Sequence, residues 1–390
     1  MLSLGGPATP LQVDALRELL PALSSLELAL VGVGVLVLLL GIAAAVAWFR
    51  RDPGERFNRI LSKRDEVTVL MHPNPDPDAM SSAMAVAAMA EAVDTEPTIQ
   101  YPGEIRHQEN RAFQTVLGLD LERVGRAADL TSDEVILVDH NAPRGFDGAS
   151  SVEPFAVVDH HPGNGTGDDF TDVRTDYGAC ATILAEYFES LDAEPNPDDD
   201  DGSDLELTDE LATGLLYGIQ SDTNRLTKGC SGAEFEASAF LYPAVDQSAL
   251  DRIANPQVSA DVLETKARAI YDREVRGSFA VCDVGEVDVV DAIPQAADEL
   301  TSLEGVTAVV VYGEHEGTLH LSGRSRDDRV HMGEALRAVV DDIPMADAGG
   351  HARMGGGQVS VDHMHGIGPS DGLSRDEFTG RLFAALDGDV

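Results

Sequence analysis

Three short apolar segments, each followed at once by acids and histidines, constrain the fold of this chain more than any other feature. Residues 67–71 (VTVLM) precede HPNPDPD, residues 135–139 (VILVD) precede HN, and residues 155–159 (FAVVD) precede HH. Helical patterns at 79–93 and 180–191 alternate with these predicted strands. Such alternation is typical of α/β proteins with a parallel sheet. The sequence therefore predicts a parallel-sheet α/β domain.

The polar residues that follow these strands are predicted to meet at one edge of the sheet. Ligands of parallel α/β sheets bind outside the carboxyl ends of the strands. A fourth acid, Asp222, follows the apolar run LLYGIQS in a segment that is predicted to start as a helix with Thr208 as its N-cap. The alternating prolines of 72–78 predict an extended loop in which Asp76 and Asp78 point the same way.

So many acids at one edge would repel each other unless cations hold them together. Mixed Asp and His ligands suit Mn²⁺ or another transition ion better than Ca²⁺, which prefers oxygen alone. Two ions about 3.5–4 Å apart form a clamp for in-line attack of water on phosphorus. The sequence thus predicts two Mn²⁺ ions, with Mg²⁺ and Co²⁺ as alternatives, and hydrolysis of a phosphate ester.

The order of the motifs, HxNxDxD, then DHN, then DHH, then an acid after an apolar helix, resembles the DHH (RecJ-like) phosphoesterase superfamily. The resemblance spans about residues 67–361, and the branch it resembles most is that of oligoribonucleases and phosphoadenosine-phosphate phosphatases. It implies that one ion is held by His72, Asp76 and Asp139. It implies a second ion held by Asp78, Asp139, His160 and Asp222, with Asp139 bridging. Asp139 and His161 are the implied catalytic residues, with His161 beside the scissile phosphate.

A second α/β unit is predicted after a helical connector. Its strands are expected at 278–284, 307–313 and 318–325, and a glycine-rich stretch at 349–357 precedes a last strand. This part resembles the DHH-associated domain. The resemblance implies a substrate-binding set composed of Arg324, Ser325, Gly349, Gly350 and His351.

The charge of the chain is strongly negative, with 27 basic against 69 acidic residues and a net charge of −42. Such a charge opposes compaction unless salt screens it, so we expect a halophilic protein. It also argues against long duplex nucleic acid, which needs a basic track along the phosphates. The three cysteines form no CxxC pair, which argues against a disulfide framework or a zinc site.

An uncharged stretch of 22 residues at 28–49 predicts a transmembrane helix, because about 20 apolar residues span a bilayer. Basic residues follow it, and the positive-inside rule then places the C-terminal side in the cytoplasm. The sequence therefore predicts a single-pass protein of the cell membrane that contacts the lipid bilayer and has cytoplasmic catalytic domains.

The predicted organisation has six parts. They are an N-terminal segment (1–27), the transmembrane helix (28–49), a basic linker (50–65), a catalytic domain (66–245), a helical connector (246–275) and a substrate-binding domain (276–390).

Three functions stay open. The first is hydrolysis of short oligoribonucleotides or 3′-phosphoadenosine phosphate, and the second is a phosphodiesterase for cyclic di-AMP. The third belongs to another class and is an inactive nucleotide sensor at the membrane. A homodimer is compatible with each of them.

Overall fold

The computed structural model describes residues 33, 34, 38, 52–105, 107–193, 205–327, 329–367 and 372–388. These residues belong to two compact units. The first comprises Met1–Gly103 and Asp120–Asp246, and the second comprises Glu104–Leu119 and Gln247–Val390. Each unit contains one six-stranded sheet.

The sheet of the first unit is parallel throughout, as the sequence predicted. Its strands are β1 (Glu66–Leu70), β2 (Glu96–Tyr101), β3 (Glu122–Arg123), β4 (Val135–Val138), β5 (Ala156–Asp159) and β6 (Phe170–Val173). Their order is β3-β2-β1-β4-β5-β6, so β1, β4 and β5 are neighbours near the middle. The apolar residues of β4 and β5 are buried, because helices cover the sheet. The three predicted strands therefore end side by side at one edge.

The helices of the first unit are α1 (Pro53–Leu61), α2 (Pro77–Glu91), α4 (Cys180–Ser190), α5 (Asp209–Asp222) and α6 (Gly232–Leu241), whereas α3 (Gln108–Val116) belongs to the second unit. Helix α5 starts as predicted, because the side chain of Thr208 accepts a hydrogen bond from Leu211 N. Helix α2 begins earlier than predicted, because Asp76 caps it and Pro77 occupies its first turn, where proline is tolerated. Asp78 thus lies in a helix and not in an extended loop.

Helix α1 lies inside the segment that was predicted to be a basic linker. Its residues Phe57, Ile60 and Leu61 are buried, and the Phe57 ring packs 5.2 Å from that of Phe170 and 5.7 Å from that of Tyr187. The three apolar residues are spaced at i, i+3 and i+4, which places them on one face of a helix. Residues 53–61 are therefore part of the core of the first unit.

The second unit has a mixed sheet with helices on both faces. Its strands are β7 (Glu274–Arg276), β8 (Phe279–Glu286), β9 (Ala308–His315), β10 (Thr318–Ser325), β11 (Asp347–Gly350) and β12 (Met354–Ser360), in the order β11-β12-β10-β9-β8-β7. Only the β8–β9 pair is parallel among these described strands. The helices are α7 (Gln247–Ala254), α8 (Ala260–Asp272), α9 (Ala292–Leu300), α10 (Met332–Val340), α11 (Val361–Met364) and α12 (Arg375–Asp387). Two apolar clusters fill the space between sheet and helices.

No described helix has both the length and the apolar character that a bilayer crossing requires. The longest helix of this part, α2, has 15 residues and includes Asp78 and Glu91, whereas a crossing needs about 20 apolar residues. This finding contradicts the predicted transmembrane helix over 28–49 and the predicted single-pass location in the cell membrane. The predicted contact with a lipid bilayer depended on that helix and is dropped with it. Residues 1–27, and all of 28–49 except Val33, Gly34 and Leu38, lie outside the described residues.

Candidate metal centre

Asp76 has two roles at the start of α2. Its Oδ1 accepts hydrogen bonds from the backbone N–H groups of Asp78 and Ala79, both at 3.1 Å, which satisfies donors that a helix start leaves unpaired. Its Oδ2 lies 3.6 Å from Nε2 of His72, the residue two positions after β1. One oxygen therefore fixes the carboxylate, and the other is presented to the imidazole.

Asp139 lies at the centre of the cluster, directly after β4. Its side chain is buried, with Oδ2 3.2 Å from His72 Nε2 and Oδ1 3.3 Å from His160 Nε2. Its φ is +59°, in the left-handed region that Asp tolerates better than most residues. The backbone N–H still donates to Val158 O at 3.0 Å, so the chain turns only after the last contact with β5. Asp139 thus places one oxygen beside each histidine.

A second group of candidate ligands surrounds His160, which follows β5. Its Nε2 lies 3.4 Å from Asp222 Oδ2 at the end of α5 and 3.7 Å from Asp78 Oδ2 in α2. The described residues contain three sets of side chains spaced to hold a metal ion: His72 with Asp76 and Asp139, Asp78 with His160 and Asp222, and Asp139 with His160 and His161. The seven side chains that the sequence predicted to be ligands or catalytic groups are therefore brought together.

Asp78 is fully buried and is held by a helix N-terminus. Its two oxygens accept hydrogen bonds from Cys180 N at 2.7 Å and Ala181 N at 2.8 Å, at the first turn of α4. A helix N-terminus favours a negative charge, because its N–H groups and dipole point at the anion. Burial raises the pKa of Asp78, and the charges of Asp139 and Asp222 raise it further. A nearby cation would relieve both effects.

The two imidazoles are oriented through their other ring nitrogens. His72 Nδ1 lies 3.0 Å from the carbonyl oxygen of Pro73, and His160 Nδ1 lies 3.2 Å from that of Tyr177. A carbonyl oxygen can only accept a hydrogen bond, so Nδ1 carries the hydrogen, and this arrangement favours the tautomer in which Nε2 has a free lone pair. Metal-binding histidines usually have such a partner. Both Nε2 atoms consequently face the carboxylates, in a position where each could bind a metal ion.

His161 is arranged differently from His160, because half of its side chain is exposed. Its Nδ1 lies 2.9 Å from Asp159 Oδ1, and this hydrogen bond raises the pKa of His161. Asp159 also accepts from the backbone N–H groups of His160 and His161, and its Oδ2 accepts from Asn141 Nδ2 at 2.6 Å. Asp159 is the first residue of the DHH motif, but its role was not predictable from the motif alone. The structure shows that it holds His161 in place.

His140 lies behind the cluster and is buried. Its Nδ1 is 2.9 Å from Val138 O, and its ring meets that of His72 edge to face at a centroid distance of 6.3 Å. Burial lowers the pKa of His140 to about 4, so this imidazole is neutral. It packs against His72 and does not add charge to the site.

The unsatisfied atoms of the cluster are those that a metal ion would use. Among the described side chains, Asp139 Oδ1 and His160 Nε2 are buried without a hydrogen-bond partner, although they lie only 3.3 Å apart. Burial lowers the pKa of His160, but the carboxylates of Asp139 and Asp222 outweigh this and raise it to about 11. Without metal, the carboxylates of Asp139 and Asp222 therefore favour the protonated, positively charged form of His160. The donor set of imidazole nitrogens and carboxylate oxygens fits divalent transition ions.

The predicted substrate-binding residues of the second unit lie on β10, on β11 and in the turn after β11, and β12 separates the two strands. Arg324 of β10 is buried, and its Nε lies 2.5 Å from Asp298 Oδ1 while its Nη1 donates to Ser322 Oγ at 2.9 Å. Ser325 Oγ donates to Asp327 O at 2.7 Å. The guanidinium is therefore already paired with a carboxylate, a contact that the sequence did not indicate.

Gly349 and Gly350 end β11, and His351 follows in the turn to β12. Gly350 has a φ of +142°, and a Cβ at this position would lie 2.6 Å from the Cα of Gly355. The turn therefore requires glycine there for its backbone shape alone. His351 is exposed, and its backbone N–H donates to Met354 O at 2.7 Å. The turn thus presents the His351 side chain to solvent.

Two domain models of known protein families match the regions of the chain that contain the two sheets. Residues 66–219 match the N-terminal domain of the DHH family, and residues 277–366 match the DHHA1 domain. The chain therefore belongs to the DHH phosphoesterase superfamily.

Three relatives are similar to this chain in sequence. The chain is 33% identical over 314 residues to an uncharacterized protein of Methanocaldococcus jannaschii, covering 80% of this chain and 62% of that one. It is 25% identical to a cyclic-di-AMP phosphodiesterase of Geobacillus thermodenitrificans, covering 69% and 42% of the two chains. It is 26% identical to a probable manganese-dependent inorganic pyrophosphatase of Bacillus licheniformis, covering 66% and 80%. The chain thus spans less than two thirds of the first of these relatives.

Among solved structures, an exopolyphosphatase-related protein from Bacteroides fragilis resembles this chain with a TM-score of 0.59. The match covers 86% of this chain and 95% of that one, with 14% sequence identity. At this identity the similarity establishes the fold alone.

Proposed function

We propose that this protein is a metal-dependent phosphoesterase that uses two Mn²⁺ ions to hydrolyse short oligoribonucleotides or 3′-phosphoadenosine phosphate. One observation carries the proposal: the carboxylate of Asp139 faces two histidines at once, within two sets of ligands that share it. A bridging carboxylate between two such sets is suited to a pair of ions. The manganese-dependent pyrophosphatase among the relatives supports the choice of metal.

His72, Asp76 and Asp139 would hold the first ion, and Asp78, Asp139, His160 and Asp222 the second. When bound, such a pair supplies Lewis-acid stabilisation of the phosphate and lowers the pKa of an attacking water. Asp159 keeps the half-exposed ring of His161 in a fixed orientation through Nδ1. His161 can then donate a proton to the leaving oxygen, which is the role of a general acid.

The charge of the chain supports a small substrate. With a net charge of −42, the protein offers no general attraction for a long polyanion. We propose that the second unit contributes substrate contacts through Arg324, Ser325, Gly349, Gly350 and His351. Cyclic di-AMP is a second candidate substrate, and the similarity to a cyclic-di-AMP phosphodiesterase is the observation that favours it.

The test is hydrolysis by the full chain in high salt with Mn²⁺. Linear di-adenylate, 3′-phosphoadenosine 5′-phosphate, cyclic di-AMP and pyrophosphate would be compared by kcat/KM. Asp139→Ala serves as the inactive variant, and Asp133→Asn, which changes an exposed acid just before β4, serves as the matched control. Preferred cleavage of di-adenylate or 3′-phosphoadenosine 5′-phosphate is expected. Preferred cleavage of cyclic di-AMP would select the second candidate, and absence of metal-dependent hydrolysis of all four would refute the proposed function.

A further inference from the structure

One short segment, residues 174–181, contacts three of the four parts of the chain that present the ligands proposed for the second ion, namely those that carry His160, Asp78 and Asp222. The carbonyl of Tyr177 lies 3.2 Å from Nδ1 of His160, and the N–H groups of Cys180 and Ala181 bind the carboxylate of Asp78. Between them, a Cβ on Gly178 would lie 2.8 Å from Cγ2 of Thr223 and 2.6 Å from Gly229 O. The segment therefore also packs tightly against the loop that follows Asp222.

Glu234 of α6 holds the middle of this segment. Its side chain is completely buried, and its Oε1 accepts a hydrogen bond from Gly178 N at 2.8 Å. Its Oε2 accepts from Ser231 N at 2.5 Å and from Ser231 Oγ at 2.8 Å. One carboxylate thus closes the capping box of α6 and at the same time fixes the segment from the side.

Tyr177 holds the segment at a second point. Its hydroxyl donates to Glu186 Oε1 at 2.7 Å and accepts from Arg174 Nη1 at 3.1 Å. Arg174 is itself fixed by Asp172, at 2.9 Å from Nε and 2.8 Å from Nη2, and it also binds Glu186. The side chain of Tyr177 is therefore anchored in an ionic network while its carbonyl faces His160.

We propose that Glu234 and Tyr177 are positioning residues that set the affinity of the second metal ion and leave that of the first unchanged. The inference rests on the proposed two-metal function. The hydrogen bonds given above for Glu234 and Tyr177 lead to the segment that holds His160 and Asp78, and none of them leads to His72 or Asp76. Removing a group that orients a metal ligand typically lowers metal affinity about 10–100-fold.

A conservative change suffices to disturb Glu234. In Glu234→Gln one acceptor oxygen becomes an N–H₂ donor, which must face the N–H of either Gly178 or Ser231. One of these half-buried donors then loses its partner, and the segment shifts to recover it. Tyr177→Phe removes only the hydroxyl that binds Glu186 and Arg174 and keeps the backbone carbonyl. The two variants therefore loosen the segment from different sides without touching a metal ligand.

The experiment is a titration of the full, metal-free chain with Mn²⁺, followed by calorimetry and by electron paramagnetic resonance. The controls are Glu236→Gln, an exposed glutamate of the same helix, and Tyr242→Phe, an exposed tyrosine next to it. Urea unfolding of each metal-free variant measures stability separately. Glu234→Gln and Tyr177→Phe are expected to weaken one of two Mn²⁺ sites at least tenfold and to reduce the spin-coupled signal of the ion pair, whereas the controls match the wild type.

The outcomes separate the two proposals. If the wild type binds two ions and both variants keep both affinities, the positioning role is refuted and the proposed function stands. The positioning role would also be refuted if the affinities for both ions fell equally and in proportion to the loss of stability of the metal-free chain. A purely structural role of the two residues predicts that result. If the wild type binds fewer than two ions, the two-metal function fails and the inference fails with it. Should Glu234→Gln not fold, Tyr177→Phe alone decides.

Discussion

Asp139 Oδ1 and His160 Nε2 lie 3.3 Å apart at the carboxyl edge of the sheet in the first unit, and neither has a hydrogen-bond partner among the described residues. Two buried polar atoms in such a position are costly to the folded state unless a proton on the imidazole or a bound cation pairs them. A metal ion that bound both atoms would remove this cost. This relationship is the basis of the first prediction.

Losing a residue that only hydrogen-bonds to a metal ligand lowers metal affinity roughly 10–100-fold. Asp139→Asn is expected to reduce Mn²⁺ affinity by more than this, because it removes the negative charge of a proposed ligand itself. Metal content after gel filtration and calorimetric titration would measure the effect. Asp133→Asn, the same change on an exposed acid, should bind as the wild type does. Retention of the wild-type metal content by Asp139→Asn would contradict the bridging role.

Glu234 should make the stability of the protein depend on pH in the acid range. Burial acts to raise its pKa, but the hydrogen bonds from Ser231 and Gly178 outweigh burial and lower the pKa below the ordinary 4.5. A lowered pKa in the folded state gives stability that is present above the unfolded pKa and is lost as pH falls through the folded value. The difference in free energy of unfolding between wild type and Glu234→Gln should therefore be constant above about pH 6 and shrink below about pH 4.5.

Urea unfolding of the metal-free proteins across this range would measure that difference, with Glu236→Gln as the control. A difference that grows as the pH falls would show that the Glu234 hydrogen bonds do not favour the ionised form.

Phe57→Ala is expected to destabilise the first unit by about 3–5 kcal/mol, the usual cost of truncating a buried phenylalanine. The ring is fully buried against Phe170 and Tyr187, so its removal leaves a cavity. Denaturant unfolding measures the change, with Glu55→Ala on the exposed face of α1 as the control. A loss below about 1 kcal/mol would mean that α1 is not part of the folded core.

Substitutions of Arg324 and of Asp298 are expected to change substrate binding in opposite directions. If Arg324 contacts a substrate phosphate, it must exchange its pairing with the half-exposed Asp298 for the substrate. Asp298→Asn should then lower KM and Arg324→Met should raise it, each by a few-fold, since partly exposed ion pairs contribute about 1 kcal/mol or less. Initial-rate kinetics on di-adenylate would measure both. A KM unaffected by either change would assign the pair a structural role.

Salt should stabilise the protein. Repulsion among an excess of 42 negative charges opposes folding, and the screening length falls from about 10 Å at 0.1 M salt to about 3 Å at 1 M. The free energy of unfolding by urea should therefore rise between 0.1 M and 2 M KCl. Maximal stability in dilute buffer would contradict the expectation of a salt-adapted protein.

The sequence by itself determined the parallel sheet of the first unit and the edge at which the acids gather. Strand and helix patterns alternate, and polar motifs follow the strands directly, so the carboxyl ends of β1, β4 and β5 had to bring His72, Asp139 and His160 together. The helix start at Thr208 was also readable, because capping depends on a few adjacent residues. The uncharged stretch at 28–49 predicted a membrane span from hydropathy alone, and the described helices contradict that prediction.

Only the tertiary structure decided how each ligand is held. Asp78 binds the N-terminus of a helix that starts about a hundred residues later in the chain, and Glu234 fixes Gly178 across 56 residues. Arg324 pairs with Asp298, and Phe57 packs on Phe170, although neither pair is related by a local pattern. Local propensity and periodicity describe neighbours along the chain. Contacts between distant side chains depend on the packing of whole elements, and the orientation of the ligands follows from that packing.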